Sequence, residues 1–383
     1  MVSPLRMTNA MVLLIGNYTA DNQPSMHRFA MMMRDGLIAA GVEAELIHPQ
    51  PFFGRFRYAG DFVSKWLAYV DKYILFPRRL RKKLRMAPTL VHICDHSNAI
   101  YAQDVRGIPV VTTCHDLLAV RGALGEKTDC PASFTGKLLQ RWILAGLETT
   151  TIVCVSQATL ADVRRLVTRH NGTPKIELIT LGLNYSYRQL SREQAHSRLS
   201  DYPVLRSGKE FVLHVGSNLP RKNREGVLRI FALCKDKWSG LLVIAGEPLS
   251  NGLRSAARQL GILDRIIEVP NATSELLEAL YSCATALLFP STFEGFGWPI
   301  AEAQACGCPV ICTDREPMTE VAGTAGLRHD IADEAGFAAD LLHLTNPEQR
   351  QHWSAKGLQN ARRFSAEEMI AKYRELYRSL ASI

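Results

Sequence analysis

Residues 289–305 read FPSTFEGFGWPIAEAQA. The apolar run at 286–289 has the composition of a buried strand, and Pro290 ends it. A loop containing Gly295 and Gly297 follows. Pro299 then stands near the first position of a helix, where its missing N–H costs no hydrogen bond. A second apolar run resumes at 310–312. Strand, helix and strand in this order form one crossover of a parallel sheet, with the loop at the carboxyl end of the strand, where open α/β sheets bind ligands.

The same grammar extends in both directions. Apolar runs at 11–15, 90–94, 110–112, 151–155 and 176–180 precede it, as do those at 211–215, 241–245 and 266–269. Segments with helical spacing separate them, such as 226–234 and 275–283. Continuous β-branched runs alternating with helices indicate parallel sheets covered on both faces. The pattern occurs twice, which predicts two doubly wound α/β domains. The break is expected within 191–210, SREQAHSRLSDYPVLRSGKE, giving domains over 1–195 and 205–365. The segment 366–380 has Met369, Tyr373 and Tyr377 at helical spacing and reads as a core helix.

Of the 383 residues, 47% are hydrophobic and 21% charged, which excludes disordered and disulfide-scaffold classes. No uninterrupted apolar run is long enough for a membrane span. The run at 11–15 is too short for a signal peptide and reads as a strand. The nine cysteines never form C-x-x-C, so buried thiols are expected rather than disulfides or zinc, and a cytoplasmic setting with them. Residues 1–190 hold 23 Lys and Arg against 14 Asp and Glu, so the net charge of +8 is concentrated there. That asymmetry suits an anionic partner or membrane surface. The densest run, 78–85, contains Arg78, Arg79, Arg81, Lys82, Lys83 and Arg85, with FVSKWLAYVDKYIL at 62–75 just upstream. It reads either as a basic amphipathic helix on anionic lipid or as a solvated helix face. No stacking motif accompanies it, so nucleic acid is not expected.

Four strand ends carry polar clusters. Glu294 lies in the loop after 286–289, and Glu302 is expected in the first turn of the next helix. Two carboxylates suit vicinal hydroxyls, since each accepts two hydrogen bonds, while Gly295 and Gly297 let amides approach a ligand. A tight turn with a Glu complementing the helix dipole is the bland alternative. VGSNLPRKN at 215–223 places Arg221 and Lys222 beside a glycine turn, either as a diphosphate clamp or as a solvated basic turn. TTCHDLL at 112–118 offers His115 and Asp116, and HICDHS at 92–97 offers Asp95 and His96, as cleft groups or as hydrogen-bonded structural residues. No D-x-D occurs to hold a metal–diphosphate complex, and Arg221 with Lys222 would supply that charge instead.

The second half resembles the donor domain of GT-B glycosyltransferases of family 4, the retaining enzymes that use nucleotide sugars. The resemblance rests on E-x7-E at Glu294 and Glu302 and on HVGSNLPRKN, supported by ELLEALYSCATALLFPS and CVSQATLADV. It implies two Rossmann-like domains facing a central cleft, with the segment 366–383 crossing back to the first. It implies that Glu294 contacts hydroxyls of the transferred sugar and Glu302 the donor ribose. Arg221 and Lys222 would neutralise the diphosphate beside Gly216 and Ser217. Amides of Phe296, Gly297 and Trp298, next to Gly295, would hold sugar and phosphate, and His115 would lie beside the sugar. Two positions depart from the family pattern: GNYTADNQPSMH at 16–27 lacks paired glycines, and Ser217 stands where Arg is frequent.

The expectation is a retaining, metal-independent hexosyltransferase without a cofactor. Its donor would be a UDP-, GDP- or ADP-sugar, and its acceptor a carbohydrate or a lipid-linked glycan. Polysaccharide or glycolipid assembly at the inner face of a membrane would be its setting. A nucleotide-sugar 2-epimerase on the same fold and a non-catalytic lipid-binding protein are the alternatives.

Overall fold

The computed structural model describes residues 11–21, 23–55, 66–167 and 174–381. Two compact units emerge. Unit 1 comprises Met1–Asn184 with Ala366–Ile383, and unit 2 comprises Tyr185–Ser365.

Unit 1 is built on β1 (Met11–Ile15), β2 (Glu43–Ile47), β3 (Leu90–Ile93), β4 (Val110–Cys114), β5 (Thr151–Cys154) and β6 (Ile176–Leu178). They form a parallel sheet in the order β2-β1-β3-β4-β5-β6. Unit 2 carries β7 (Phe211–Gly216), β8 (Leu241–Gly246), β9 (Ile266–Pro270), β10 (Ala286–Phe289), β11 (Val310–Thr313) and β12 (Gly326–His329). Its order is β12-β11-β10-β7-β8-β9. In each sheet the strand order reverses beside the first strand, between β1 and β3 and between β7 and β10. Such switch points open a crevice at the carboxyl ends of the strands.

Helices cover both faces, so the central strands lie in apolar surroundings from end to end. Val12 to Ile15 of β1 and Val212 and Leu213 of β7 are fully buried. Replacing one of these Leu side chains by Ala would cost about 2–5 kcal/mol through lost burial and a residual cavity. The helix Ala366–Leu380 closes unit 1. Its Met369, Tyr373 and Tyr377 are buried; Tyr373 stacks on His92 at 5.2 Å, and Tyr377 shares a 2.7 Å hydrogen bond with His92 Nδ1. With Thr113 Oγ1 2.8 Å from Nε2, both ring nitrogens are engaged. Burial holds the His92 pKa down at about 3, so the ring is neutral.

Two strands depart from the sequence expectation. Neither β2, EAELI, nor β12, GLRH, forms a continuous apolar run, because each is a sheet edge and is partly exposed. The division between units also falls earlier than 191–210. Arg188 N–H donates to Glu278 at 2.9 Å and Leu190 N–H to Ser282 Oγ at 3.1 Å, which fastens this segment to the helix Ser274–Cys283 of unit 2. Beyond it, Ser191 and Gln194 form a capping box for the helix Arg192–Arg198, and Arg198 pairs with Glu278. The polar stretch is therefore a folded part of unit 2.

Candidate functional site

In unit 2, β7 ends at Gly216 and the chain turns through Pro220–Lys222. Asn223 adopts a left-handed conformation (φ 49°) and caps the helix Arg224–Leu233 by accepting from Gly226 N–H at 3.2 Å. Its Nδ2 donates to the Pro290 carbonyl at 3.1 Å, and Thr292 N–H donates to the Arg221 carbonyl at 2.7 Å. The loops after β7 and β10 are thus stapled together twice across the switch point.

That stapling brings Lys222 Nζ to 2.6 Å from Glu294 Oε1, with side chains only 12% and 9% exposed. The ammonium also lies 5.2 Å from the centre of the Phe289 ring. The stem of Lys222 passes over Gly216, where an added Cβ would stand 3.3 Å from its Cδ. A Cβ at 216 would press that stem aside by a few tenths of an ångström. Beneath it, His214 Nδ1 donates to the Leu288 carbonyl at 3.0 Å. Burial, with the charges of Arg224 and Lys222, lowers its pKa to about 3 and keeps it neutral. Ser217 is half-buried beside this loop.

Gly297, at φ 101°, opens the helix Trp298–Ala305 in a conformation that side chains disfavour. Phe296 is buried against Phe364, while Gly295 and Trp298 are half-buried. Glu302 is the fifth residue of this helix and not in its first turn, which removes the helix-dipole role. Its Oε2 accepts from Tyr281 OH at 2.9 Å, and the carboxylate is buried. Sequence reasoning missed Tyr281 and also Arg224, whose guanidinium donates to Asn218 Oδ1, the Glu247 carbonyl and the Gly216 carbonyl at 2.6–2.7 Å. Arg224 ties the β7 and β8 ends together; only its place next to the basic pair hinted at this.

In unit 1, the register aligns Ile15, Ile93 and Thr112 across β1, β3 and β4. The loops after β1 and β3 therefore start level, and β4 runs two residues further before its own loop begins. Asn17 Nδ2 donates to Asp95 Oδ2 at 2.5 Å and its Oδ1 accepts from Asn98 at 2.8 Å. Asp95 Oδ1 accepts from Ser97 N–H at 2.9 Å, and His96 Nδ1 lies 3.1 Å from it. Burial would raise the Asp95 pKa, but His96, His115 and Asn17 hold it well below the usual range. Burial would lower His96, yet Asp95 holds it up.

His115 Nε2 is 3.0 Å from the Cys94 carbonyl, which can only accept, so Nε2 carries the proton. Burial lowers its pKa, partly opposed by Asp95, and the neutral ring presents Nδ1 as an acceptor. Phe29 fixes the ring edge-on at 4.8 Å. Asp116 is half-buried and accepts from Leu118 N–H at 2.9 Å, closing its own turn. Asp95, His96 and His115 thus come together, and Asn17 joins them from the loop that lacks paired glycines.

The basic run lies on the helix Phe76–Leu84, flanked by the exposed side chains of Ile74 and Met86. This helix buries Phe76, Pro77 and Leu80, and Phe76 and Leu80 join a core with Leu13, Ile15 and Val91. Arg81 pairs with Asp104 at 2.7 Å and Lys83 with Glu45 at 2.5 Å. Arg78, Arg79, Lys82 and Arg85 remain exposed. Residues 62–65 of the upstream aromatic stretch lie outside the described residues. Among the described residues no helix is long and apolar enough to cross a membrane, and no group of three or more His, Cys, Asp or Glu could hold a metal ion. All nine cysteines are free thiols, seven of them buried.

Comparison with known proteins adds the family. The model of glycosyl transferases group 1 matches residues 199–359, and that of glycosyltransferase family 4 matches residues 26–186. O-antigen chain mannosyltransferase B of Escherichia coli is 30% identical over 245 residues, 60% of this chain and 60% of that protein, so the chain spans under two thirds of its length. Sucrose-phosphate synthase from Thermosynechococcus elongatus superposes with a TM-score of 0.77 at 19% identity, covering 97% of this chain and 98% of the other. HepE from Anabaena, solved in complex with UDP and glucose, gives 0.74 at 16% identity over 97% and 100%. With two parallel six-stranded sheets matching those structures and the two family models on its two halves, the chain belongs to the GT-B fold glycosyltransferases of family 4.

Proposed function

We propose that the protein transfers a hexose from a nucleoside-diphosphate sugar to an acceptor hydroxyl, with retention at the anomeric carbon and without a metal ion. The observation that carries this is the 2.6 Å contact of Lys222 with Glu294 at the switch point of unit 2. A cation and a carboxylate held on stapled loops match the two charge demands of a sugar diphosphate: a positive group for the leaving oxygens and an acceptor for sugar hydroxyls.

Lys222 and Arg221 take the diphosphate. Glu294 accepts from hydroxyls of the transferred hexose, and Glu302, oriented by Tyr281, accepts from the ribose diol. Amides of Phe296, Gly297 and Trp298 stand at the helix start, where backbone N–H groups favour anionic oxygen. In the reaction the bond from the anomeric carbon to the diphosphate oxygen breaks and the bond to the acceptor oxygen forms on the same face. The acceptor's proton passes to the departing diphosphate, so no side-chain nucleophile is required. The neutral His115 serves a hydroxyl through its Nδ1. The E. coli relative is named for mannosyl transfer and the HepE structure holds UDP and glucose, which supports a hexose donor. The acceptor is a carbohydrate or a lipid-linked glycan, and the setting is the cytoplasm, at the inner face of the membrane.

The test is thermal stabilisation by UDP, GDP and ADP and their hexose conjugates without metal, followed by transfer to glycan acceptors. A ligand at 100 times its Kd adds about 2.7 kcal/mol. A shift with one nucleotide, absent in Lys222→Ala, is the expected result. Equal shifts in wild type and variant would overturn the assignment of the diphosphate site.

A further inference from the structure

We infer that the helix Phe134–Leu147 of unit 1 docks on an anionic lipid bilayer through Phe134, Leu138 and Trp142, with Lys137 and Arg141 on the headgroups.

The helix is anchored on one side only. Ile143, Gly146 and Leu147 are buried, in a core that includes Leu117, Val120 and Ile152. At Gly146 the helix backbone approaches the Ala99 carbonyl so closely that a Cβ would stand 2.2 Å from that oxygen, which fixes the rotation of the helix. The opposite side therefore faces water. It carries Phe134, Leu138 and Trp142, 85%, 43% and 49% exposed. Their spacing of four residues puts them in one stripe, within about 80° of the helix circumference. Lys137 and Arg141, both exposed and also four apart, run along one edge of the stripe, and the helix contains no acidic residue.

Charge selects the occupant. Aromatic and leucine side chains backed by cations suit the boundary between headgroups and acyl chains, where the rings bury and the cations stay at the phosphates. Each Lys or Arg near an anionic leaflet adds attraction, and this half of the chain carries 23 basic against 14 acidic residues. A second copy packed antiparallel fits less well, since that two-fold contact would set the cation edge of one helix against the same edge of the other. The surface differs from the run at 78–85, whose helix turns Phe76 and Leu80 into the core. The inference deepens the acceptor side of the proposed function and rests on that reading only for its use: docking would hold the protein next to a lipid-linked acceptor.

Vesicle co-flotation tests it, using the full chain with vesicles of phosphatidylglycerol in phosphatidylcholine and with phosphatidylcholine alone. Wild type is expected on the mixed vesicles only, with a blue shift of tryptophan emission. The Phe134→Glu/Leu138→Glu variant should bind about tenfold or more weakly, and Lys137→Glu/Arg141→Glu should lose binding as well. Both replace exposed side chains, so unchanged melting and an unchanged nucleotide-induced thermal shift separate loss of docking from loss of fold or of the donor site. Absence of wild-type flotation would overturn the inference. So would full binding by Phe134→Glu/Leu138→Glu together with loss in Arg78→Glu/Arg79→Glu/Lys82→Glu/Arg85→Glu, which would move docking to the other helix. A lipid-free dimer that Phe134→Glu/Leu138→Glu converts to monomer would overturn it too, by assigning the stripe to a second copy.

Discussion

Asn17 and Asp95 in unit 1 hold the topological place that Lys222 and Glu294 hold in unit 2. Each pair joins the loop after the first strand of its sheet to the loop after the strand where the order reverses. One pair combines a lysine ammonium with a carboxylate. The other combines a neutral amide with a carboxylate, and histidines surround it. The sheet supplies the location twice, and side chains decide what the location can hold. A fixed charge suits a diphosphate. Neutral acceptors beside a buried Asp–His pair suit hydroxyls, whose protonation does not change near neutrality.

The largest effect should come from breaking the unit 2 pair. Lys222→Ala and Glu294→Ala should each lower transfer about 10²–10³-fold, roughly 3–4 kcal/mol of transition-state stabilisation. The double variant should fall well short of the product, because both single changes remove one contact. Steady-state rates on all three variants decide this, and losses under about tenfold would break the contrast.

Next comes acid. His92 and His214 are neutral when folded and would bind protons once unfolded, near the ordinary histidine value of 6.5. Stability from them is complete above that value and declines as pH falls toward their folded values of about 3. At pH 5 each should have lost about 2 kcal/mol. His115, lowered too, acts in the same direction. His96 has the opposite sign: its stabilisation is complete below 6.5 and fades as pH rises through its raised folded value. Melting from pH 7 down to 5 should show the decline, and a flat profile would contradict it.

Asn17→Ala should destabilise by about 1–2 kcal/mol, since it leaves buried partners of its amide unsatisfied. It should leave the nucleotide-induced thermal shift unchanged. Tyr281→Phe should do the reverse on a smaller scale: about 1 kcal/mol, seen as a raised donor KM with kcat retained. A nucleotide effect in Asn17→Ala would blur the division of labour between the two clusters.

The central strands were legible because burial on both faces writes an uninterrupted apolar run. The edge strands β6 and β9 still carried apolar runs, but β2 and β12 did not: Glu43, Glu45 and Arg328 interrupt them, since an edge half in water accepts a charge as readily as leucine. Glu294 and Lys222 could be picked out by their loops, but their pairing could not, since 72 positions separate them and only the staple at Asn223 and Thr292 joins them. Tyr281, Arg224 and Asn17 are common residue types whose roles arise from strand order alone. The stripe of Phe134, Leu138 and Trp142 has the spacing of an inward face, and only the seating of Gly146 shows that it points outward.

The helix Ala366–Leu380 belongs to unit 1 although all of unit 2 precedes it in the chain. During synthesis, residues 11–184 emerge first yet lack the tyrosines that cover His92. Unit 2 is continuous and can complete its core while unit 1 waits with apolar surface uncovered, which makes nascent unit 1 the natural client of a chaperone. A fragment ending at 184 should aggregate, whereas a permuted chain that supplies 366–380 at its start would let unit 1 fold as it leaves the ribosome.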